Sequence, residues 1–405
     1  MGEGDRVNLF YSAVCRLRQS ANRAARVWRP EQPSVEEGTG AVFSVAQILR
    51  SNRLRKPIVV SARSMHAVTE RVLHALKEND LTQVVWEFPD RRLHAGDAED
   101  LRMTWVSEAC DSFIVIGDDS AIDFCKVAAA LAAVRGRSFA SLAGYDKIRR
   151  RLPPVIAVPI GPCAGKEALA WASLPDENGQ RFVITDRALV PSFLVLDPEL
   201  MEDVSRPRLA AASMDGLCLA VEAYVSGFSD DAARAEAADA VRGFISSLEP
   251  CWNSGGTASQ KSALLSASRM AGDAASVAGP GYVRALVRGI SDLTGAVPGE
   301  LCAVLLPLVM EKYGSHVRNR LSELAEFCDI PAGDSRREKS EAFIVRLRQL
   351  AFRVGMPETP PPLDKDILRI IAEQAAQEAN FRYPCPVVWT SNELAGVLRS
   401  AYEPK

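Results

Sequence analysis

Histidine is nearly absent from this chain of 405 residues: there are four, His66, His74, His94 and His316. Only His316 falls in the C-terminal half, so a metal site built there from several imidazoles is excluded. The nine cysteines include no C-x-x-C pair, and their odd number and irregular spacing exclude a disulfide framework. A reducing, cytoplasmic setting is the expectation. No apolar run is long enough to cross a bilayer, so no transmembrane segment is expected. The start lacks an apolar core followed by a small-residue cleavage site. Met1-Gly2 makes no myristoylation site, because Arg6 stands where Ser or Thr is required. Neither sign of charge dominates: 48 basic residues face 51 acidic ones, which excludes nucleic acid as a partner on charge grounds.

What is present is ordinary for a globular protein of two or three domains, with 47% hydrophobic and 24% charged residues. Residues 1–35 read as a helical N-terminal extension. Leu9, Phe10, Ala13, Val14, Leu17, Ala21, Ala24, Ala25 and Trp28 recur at helical spacing, with Arg16, Arg18, Arg23, Arg26 and Arg29 among them. A packed or trailing extension is the simpler reading; a surface for a membrane or partner is the sharper one.

Residues 36–198 read as an α/β domain. Short strands are expected at 57–61, 83–88, 113–117, 154–159 and 193–196, with helices at 66–77, 97–110 and 120–134 between the first of them. Asn178-Gly179 marks a hairpin. Alternation of this kind implies a mostly parallel sheet covered on both faces. After Asp197-Pro198 the strand signal stops. Residues 199–405 read as an all-helical domain, with helices at 208–225, 231–248, 260–277, 282–294, 301–312, 316–327, 335–354, 364–379 and 391–401. Ser335 and Glu338 stand at capping-box spacing. A ligand cleft is expected at the junction of the halves.

Few residues look chemical. Gly117-Asp118-Asp119-Ser120 follows a strand and opens a helix, where backbone N–H groups can meet a phosphate. It has one glycine and two carboxylates, so it reads first as an ordinary turn. Residues 159–167 form a second small-residue loop, in which Lys166 could meet a phosphate or neutralise Asp118 or Asp119. Cys218 and Cys302 could supply thiolates, although buried structural cysteines are far commoner. Asp215 lies among Ala and Leu in a helix, where a buried carboxylate needs a partner. Leu219 offers none; Arg284 and Arg288 are the candidates.

Several segments are similar to motifs of the iron-containing (group III) alcohol dehydrogenases. They are Val183-Ile184-Thr185-Asp186 through Leu196-Asp197-Pro198-Glu199-Leu200, then Met214-Asp215-Gly216-Leu217 through Val221-Glu222-Ala223-Tyr224. Leu305-Leu306-Pro307 with Val309-Met310-Glu311, and Ala379-Asn380 with Tyr383-Pro384, complete the set. The resemblance runs from Gly38 to Tyr402. It implies a dinucleotide-binding α/β domain followed by an all-α domain, and NAD- or NADP-linked oxidation of alcohols.

At the positions where that family holds its metal, this chain has Asp215, Leu219, Arg284 and Pro298, so one ligand type of four survives; a further family histidine falls on Arg288. The resemblance places the cofactor loops on Gly117, Asp118, Asp119, Ser120, Gly165, Lys166 and Arg181. Ala62 and Arg63 stand where an acidic residue would favour NAD. The expectation is no cofactor, NADP rather than NAD if any, and neither iron nor zinc. An Asp215–Arg284 ion pair is expected, or Arg288 in its place, with Lys166 or Arg181 near Asp118 or Asp119. Three functions follow: a pseudoenzyme acting as a homodimer, a binding protein or a partner of an active homologue; a metal-independent NADP-dependent reductase with Arg284 or Arg288 as catalytic electrophile; or a non-redox binder of an anionic metabolite.

Overall fold

The apolar runs Pro57–Ser61, Ser112–Gly117 and Val155–Pro159 are buried at every position. Strands without a polar face belong to a sheet that is covered on both sides. In the computed structural model, which describes residues 11–21, 30–89 and 91–402, they form the centre of a six-stranded sheet. With β1 at Ser34–Glu37, β2 at Pro57–Ser61, β3 at Val84–Glu87, β4 at Ser112–Gly117, β5 at Gly144–Tyr145, β6 at Val155–Pro159, β7 at Trp171–Pro175, β8 at Arg181–Thr185 and β9 at Phe193–Leu196, its order is β1-β9-β6-β4-β2-β3. Every pairing in it is parallel. A smaller sheet, β5-β8-β7, holds the expected hairpin, with β7 antiparallel to β8 and Gly179 at φ +82° in the connection.

The helices are α1 at 11–21, α2 at Val45–Ser51, α3 at His66–Glu78, α4 at Ala95–Ser107, α5 at Asp119–Ala133, α6 at Phe139–Leu142, α7 at Arg206–Val225, α8 at Asp231–Ser254 and α9 at Ala258–Ala278. They continue with α10 at Tyr282–Thr294, α11 at Pro298–Tyr313, α12 at Arg318–Phe327, α13 at Arg336–Arg353, α14 at Lys365–Ala379 and α15 at Ser391–Tyr402. Val45, Leu49, Val72 and Leu76 of α2 and α3 pack on Val59, Ile114, Ile156 and Val195 of the sheet. The Ser335–Glu338 capping box opens α13. No helix among the described residues is long and apolar enough to cross a membrane.

Two compact units result. One takes residues 30–205 with Ser254–Ser276; the other takes 11–21, Arg206–Asn253 and 277–402. Most of α9, grouped by sequence with the helical half, therefore packs with the α/β unit. The cause is a close crossing: a Cβ at Gly272 of α9 would stand 2.2 Å from the carbonyl oxygen of Gly165. Of the N-terminal pattern, Leu9, Phe10, Arg23, Ala24, Ala25, Arg26, Trp28 and Arg29 lie outside the described residues. Cys15 and Gln19 of α1 are buried.

Candidate active site

The helical unit gathers its polar side chains where α7, α10 and α11 meet. From Leu209 onward α7 is buried almost all round, and Asp215 and Glu222 are its two buried carboxylates, seven residues apart on one face. Glu222 fixes the start of α10. Its carboxylate accepts the backbone N–H of Gly281 at 3.1 Å and of Val283 at 2.8 Å, two donors that a helix N-terminus leaves unpaired. Residue 281 is glycine because a Cβ there would lie 2.4 Å from Glu222 Oε1. Burial nevertheless pushes the Glu222 carboxyl up to about 7, against the pull of Arg284 and the backbone donors.

That clamp sets Arg284, in the first turn of α10, against Asp215: Nη2 lies 2.6 Å from Oδ1. Both side chains are nearly buried, where an ion pair is shielded from water and salt. Burial alone would lower the guanidinium's pKa; Asp215 and the neighbouring sulfurs outweigh it and raise it further. Cys302 of α11 completes the group, its thiol donating to Asp215 Oδ1 at 3.4 Å. Burial pushes the thiols of Cys218 and Cys302 up, so both stay protonated at neutral pH. Leu219 is fully buried and apolar, and Pro298 is the first residue of α11. Arg288, one turn beyond Arg284, pairs instead with Glu378 at 2.8 Å, and Tyr383 donates to the same carboxylate. Both arginines considered as electrophiles are thus engaged by carboxylates.

The loops of the α/β unit show a second polar group. Gly117 ends β4, and a Cβ there would stand 2.7 Å from Cβ of Ala121, so the turn depends on glycine. Asp118 is the N-cap of α5, accepting the Ala121 N–H at 2.9 Å, with Asp119 in the first turn and Ser120 after it. A carboxylate therefore stands where a helix N-terminus would otherwise attract a phosphate. In the loop 159–167, the N–H groups of Cys163 and Gly165 donate to Ser268 Oγ at 3.0 and 3.1 Å. Lys166 pairs at 2.7 Å with Asp123, which lies one turn further along α5 than Asp119. Arg181 donates to Ser173 Oγ at 3.1 Å. Beneath them the fully buried Lys126 donates to the carbonyls of Leu169, at 2.8 Å, and Lys166. Burial pulls its pKa down to about 8.

Residues 33–198 match the family model described as iron-containing alcohol dehydrogenase, and residues 209–402 match the C-terminal model of the same family. The chain belongs to the iron-containing alcohol dehydrogenase family. It is 26% identical to 1,3-propanediol dehydrogenase of Citrobacter freundii over 373 residues, covering 90% of this chain and 96% of the relative. It is 24% identical to the NAD-dependent methanol dehydrogenase of Bacillus methanolicus, covering 91% and 98%. The solved alcohol dehydrogenase of Oenococcus oeni superposes with a TM-score of 0.87 at 25% identity, over 93% of this chain and all of that one.

Membership corrects one expectation. A chain with no cofactor, or with NADP ahead of NAD and neither iron nor zinc, is not what this family points to: its model is named for iron, and the methanol dehydrogenase is NAD-dependent. The side chains of this iron-containing alcohol dehydrogenase family member meet those two groups differently. At the positions that the resemblance gives for the metal, they do not fit iron. Arg284 brings a fixed positive charge onto Asp215, Leu219 has no donor atom, and Pro298 has no ligating side chain. Among the described residues no three His, Cys, Asp or Glu side chains cluster as a metal site. At the loops that the resemblance gives for the dinucleotide, the turn depends on Gly117 and carries the carboxylates of Asp118 and Asp119.

Glu222, Glu378, Cys302 as a donor and Ser268 were not singled out from sequence for these contacts. Glu222 carried a signal, its place seven residues after Asp215 in an apolar helix. Glu378 and Ser268 carried none, since their partners lie far off in the chain.

Proposed function

We propose that this protein is a catalytically silent member of its family, acting as a binding or partner subunit, with an active homologue or a second copy of itself as partner. The family's iron-assisted hydride transfer needs a Lewis acid at the Asp215 position, and there the chain supplies an internal ion pair. The observation that carries this reading is the 2.6 Å contact of Arg284 with Asp215. Iron and NAD are the groups the family brings, and the reading leaves NAD binding open to this chain: the turn at Gly117 is retained. The arginine-electrophile alternative is disfavoured, because each guanidinium already faces a carboxylate.

The test is hydride transfer by the full chain, followed by NADH absorbance with ferrous iron and a panel of aldehydes, beside the Citrobacter freundii relative. Substrate-dependent turnover is expected from the relative and none from this chain. Iron-stimulated turnover by this chain would overturn the reading.

A further inference from the structure

Helix α1 lies outside the stretch matched to the family, which begins at residue 33. It is fixed to the segment after α14 by side-chain bonds. Arg16 donates to the carbonyls of Cys385 at 2.6 Å and Pro386 at 2.8 Å, Gln19 donates to that of Asn380 at 2.8 Å, and Asn380 Nδ2 donates to Tyr11 Oη at 3.1 Å. The helix is thereby a fixed wall.

Between this wall and α14 lies a cavity of about 340 Å³ lined by Arg18, Ala21, Gln377, Phe381 and Arg382. That volume is at the small end of the range for ligand pockets. Among the described residues no carboxylate lines it. The Arg18 guanidinium sits 4.7 Å from the centroid of the Phe381 ring. Among the described residues, neither this guanidinium, that of Arg382, nor the Gln377 amide has a hydrogen-bond acceptor or an ion-pair partner. Most arginines elsewhere in the unit do: Arg16, Arg284, Arg288, Arg346 and Arg348 all meet carbonyls or carboxylates.

Two unneutralised guanidinium groups around one cavity favour an anion. Their planar donor forks match the oxygens of phosphate or carboxylate. A pair of them suits a doubly charged group better than a single carboxylate, and the Phe381 ring supplies an apolar wall for an ester substituent. We propose that this cavity binds a phosphate monoester, the phosphate held by Arg18, Arg382 and Gln377 and the ester group against Phe381.

Calorimetry on the full chain with phenyl phosphate, and with phenol as control, tests this. Phenyl phosphate is expected to bind, more weakly as salt rises, and phenol is not. Arg18→Ala and Arg382→Ala are each expected to weaken binding roughly tenfold, the loss of one charge-assisted contact, with thermal melting unchanged because both side chains are exposed. Absence of phenyl phosphate binding, or binding that persists in the double variant, would overturn the proposal. Vesicles of phosphatidic acid in phosphatidylcholine, set against the soluble ester, separate the sources: vesicle binding lost in the same variants assigns a lipid headgroup, and binding of the ester alone assigns a free metabolite.

Discussion

Arg284 Nη2 lies 2.6 Å from Asp215 Oδ1, so a residue of the first turn of α10 neutralises a carboxylate buried in the middle of α7. The resemblance gives both positions as metal positions of the family; in this chain they hold an ion pair within one unit. The Arg284 Nε atom has no hydrogen-bond partner in that group, so the guanidinium is held chiefly by its charge.

The cost of separating the pair should be asymmetric. Arg284→Leu leaves Asp215 buried and unpaired, and is expected to lower stability by about 3–5 kcal/mol. Asp215→Leu combined with Arg284→Leu removes both charges, and is expected to restore most of that loss. Urea denaturation of the single and double variants measures it. A double variant no more stable than Arg284→Leu would show that the pair is not what the pocket is organised around.

Glu222 gives the protein a pH dependence of definite sign. Burial pushes its carboxyl up to about 7 from an ordinary value of 4.5. The folded chain holds this proton where the unfolded chain has released it, so its contribution to stability is full below the unfolded value and is lost as pH rises through the folded one. The stability difference between wild type and Glu222→Gln is expected to shrink from about pH 4.5 to about pH 7 and to be flat above that. Chemical denaturation at several pH values reads it out, and a difference that grows with pH would reverse the assignment.

Gly299 tests the packing beneath the site. A Cβ at this position would lie 1.8 Å from the carbonyl oxygen of Ala211, backbone against a rigid helix. Gly299→Ala is expected to cost about 1–3 kcal/mol or more, because α11 must move away from α7. Gly216→Ala also makes a short contact, 2.6 Å, but with the Phe244 ring, which can turn. It should cost less. Melting temperatures of the two variants decide the order, and equal losses would show that α7 and α11 yield as readily as a side chain.

Among the described residues Lys126 pairs with no carboxylate; it is held by main-chain oxygens. Burial pulls its pKa down to about 8, so its contribution to stability is present at high pH and lost as pH falls through that value. The stability of wild type relative to Lys126→Met is expected to improve as pH rises from about 8 towards the ordinary lysine value near 10.5. Denaturation at pH 7, 8.5 and 9.5 checks this; a flat difference would contradict it.

Much of this was legible from sequence, for identifiable reasons. The helix at Tyr282–Thr294 has the ends that the sequence implies, since Gly281 and Gly295 bracket a strongly amphipathic segment. β1 leaves no strand signal because Ser-Val-Glu-Glu is polar and mostly exposed at the sheet edge. The Asp215–Arg284 pair is legible because a carboxylate among Ala and Leu needs a partner and the resemblance brings Arg284 to it. Its Cys302 donor is not, since it depends on how α11 packs on α7. Composition shows that an acidic residue stands near Lys166, and only geometry shows that Asp123 pairs with it. The attachment of α9 to the α/β unit rests on the crossing of Gly272 over Gly165, which no periodicity records.

The most direct test of the silent-site reading is an iron titration of hydride transfer in wild type beside Leu219→His/Arg284→His/Pro298→His, with circular dichroism to confirm that the variant folds. The ion-pair account expects wild type to stay at background at every iron concentration, while the folded variant gains iron-dependent NADH oxidation with an aldehyde. Iron-dependent turnover by the wild-type chain, with Arg284 in place, would contradict it.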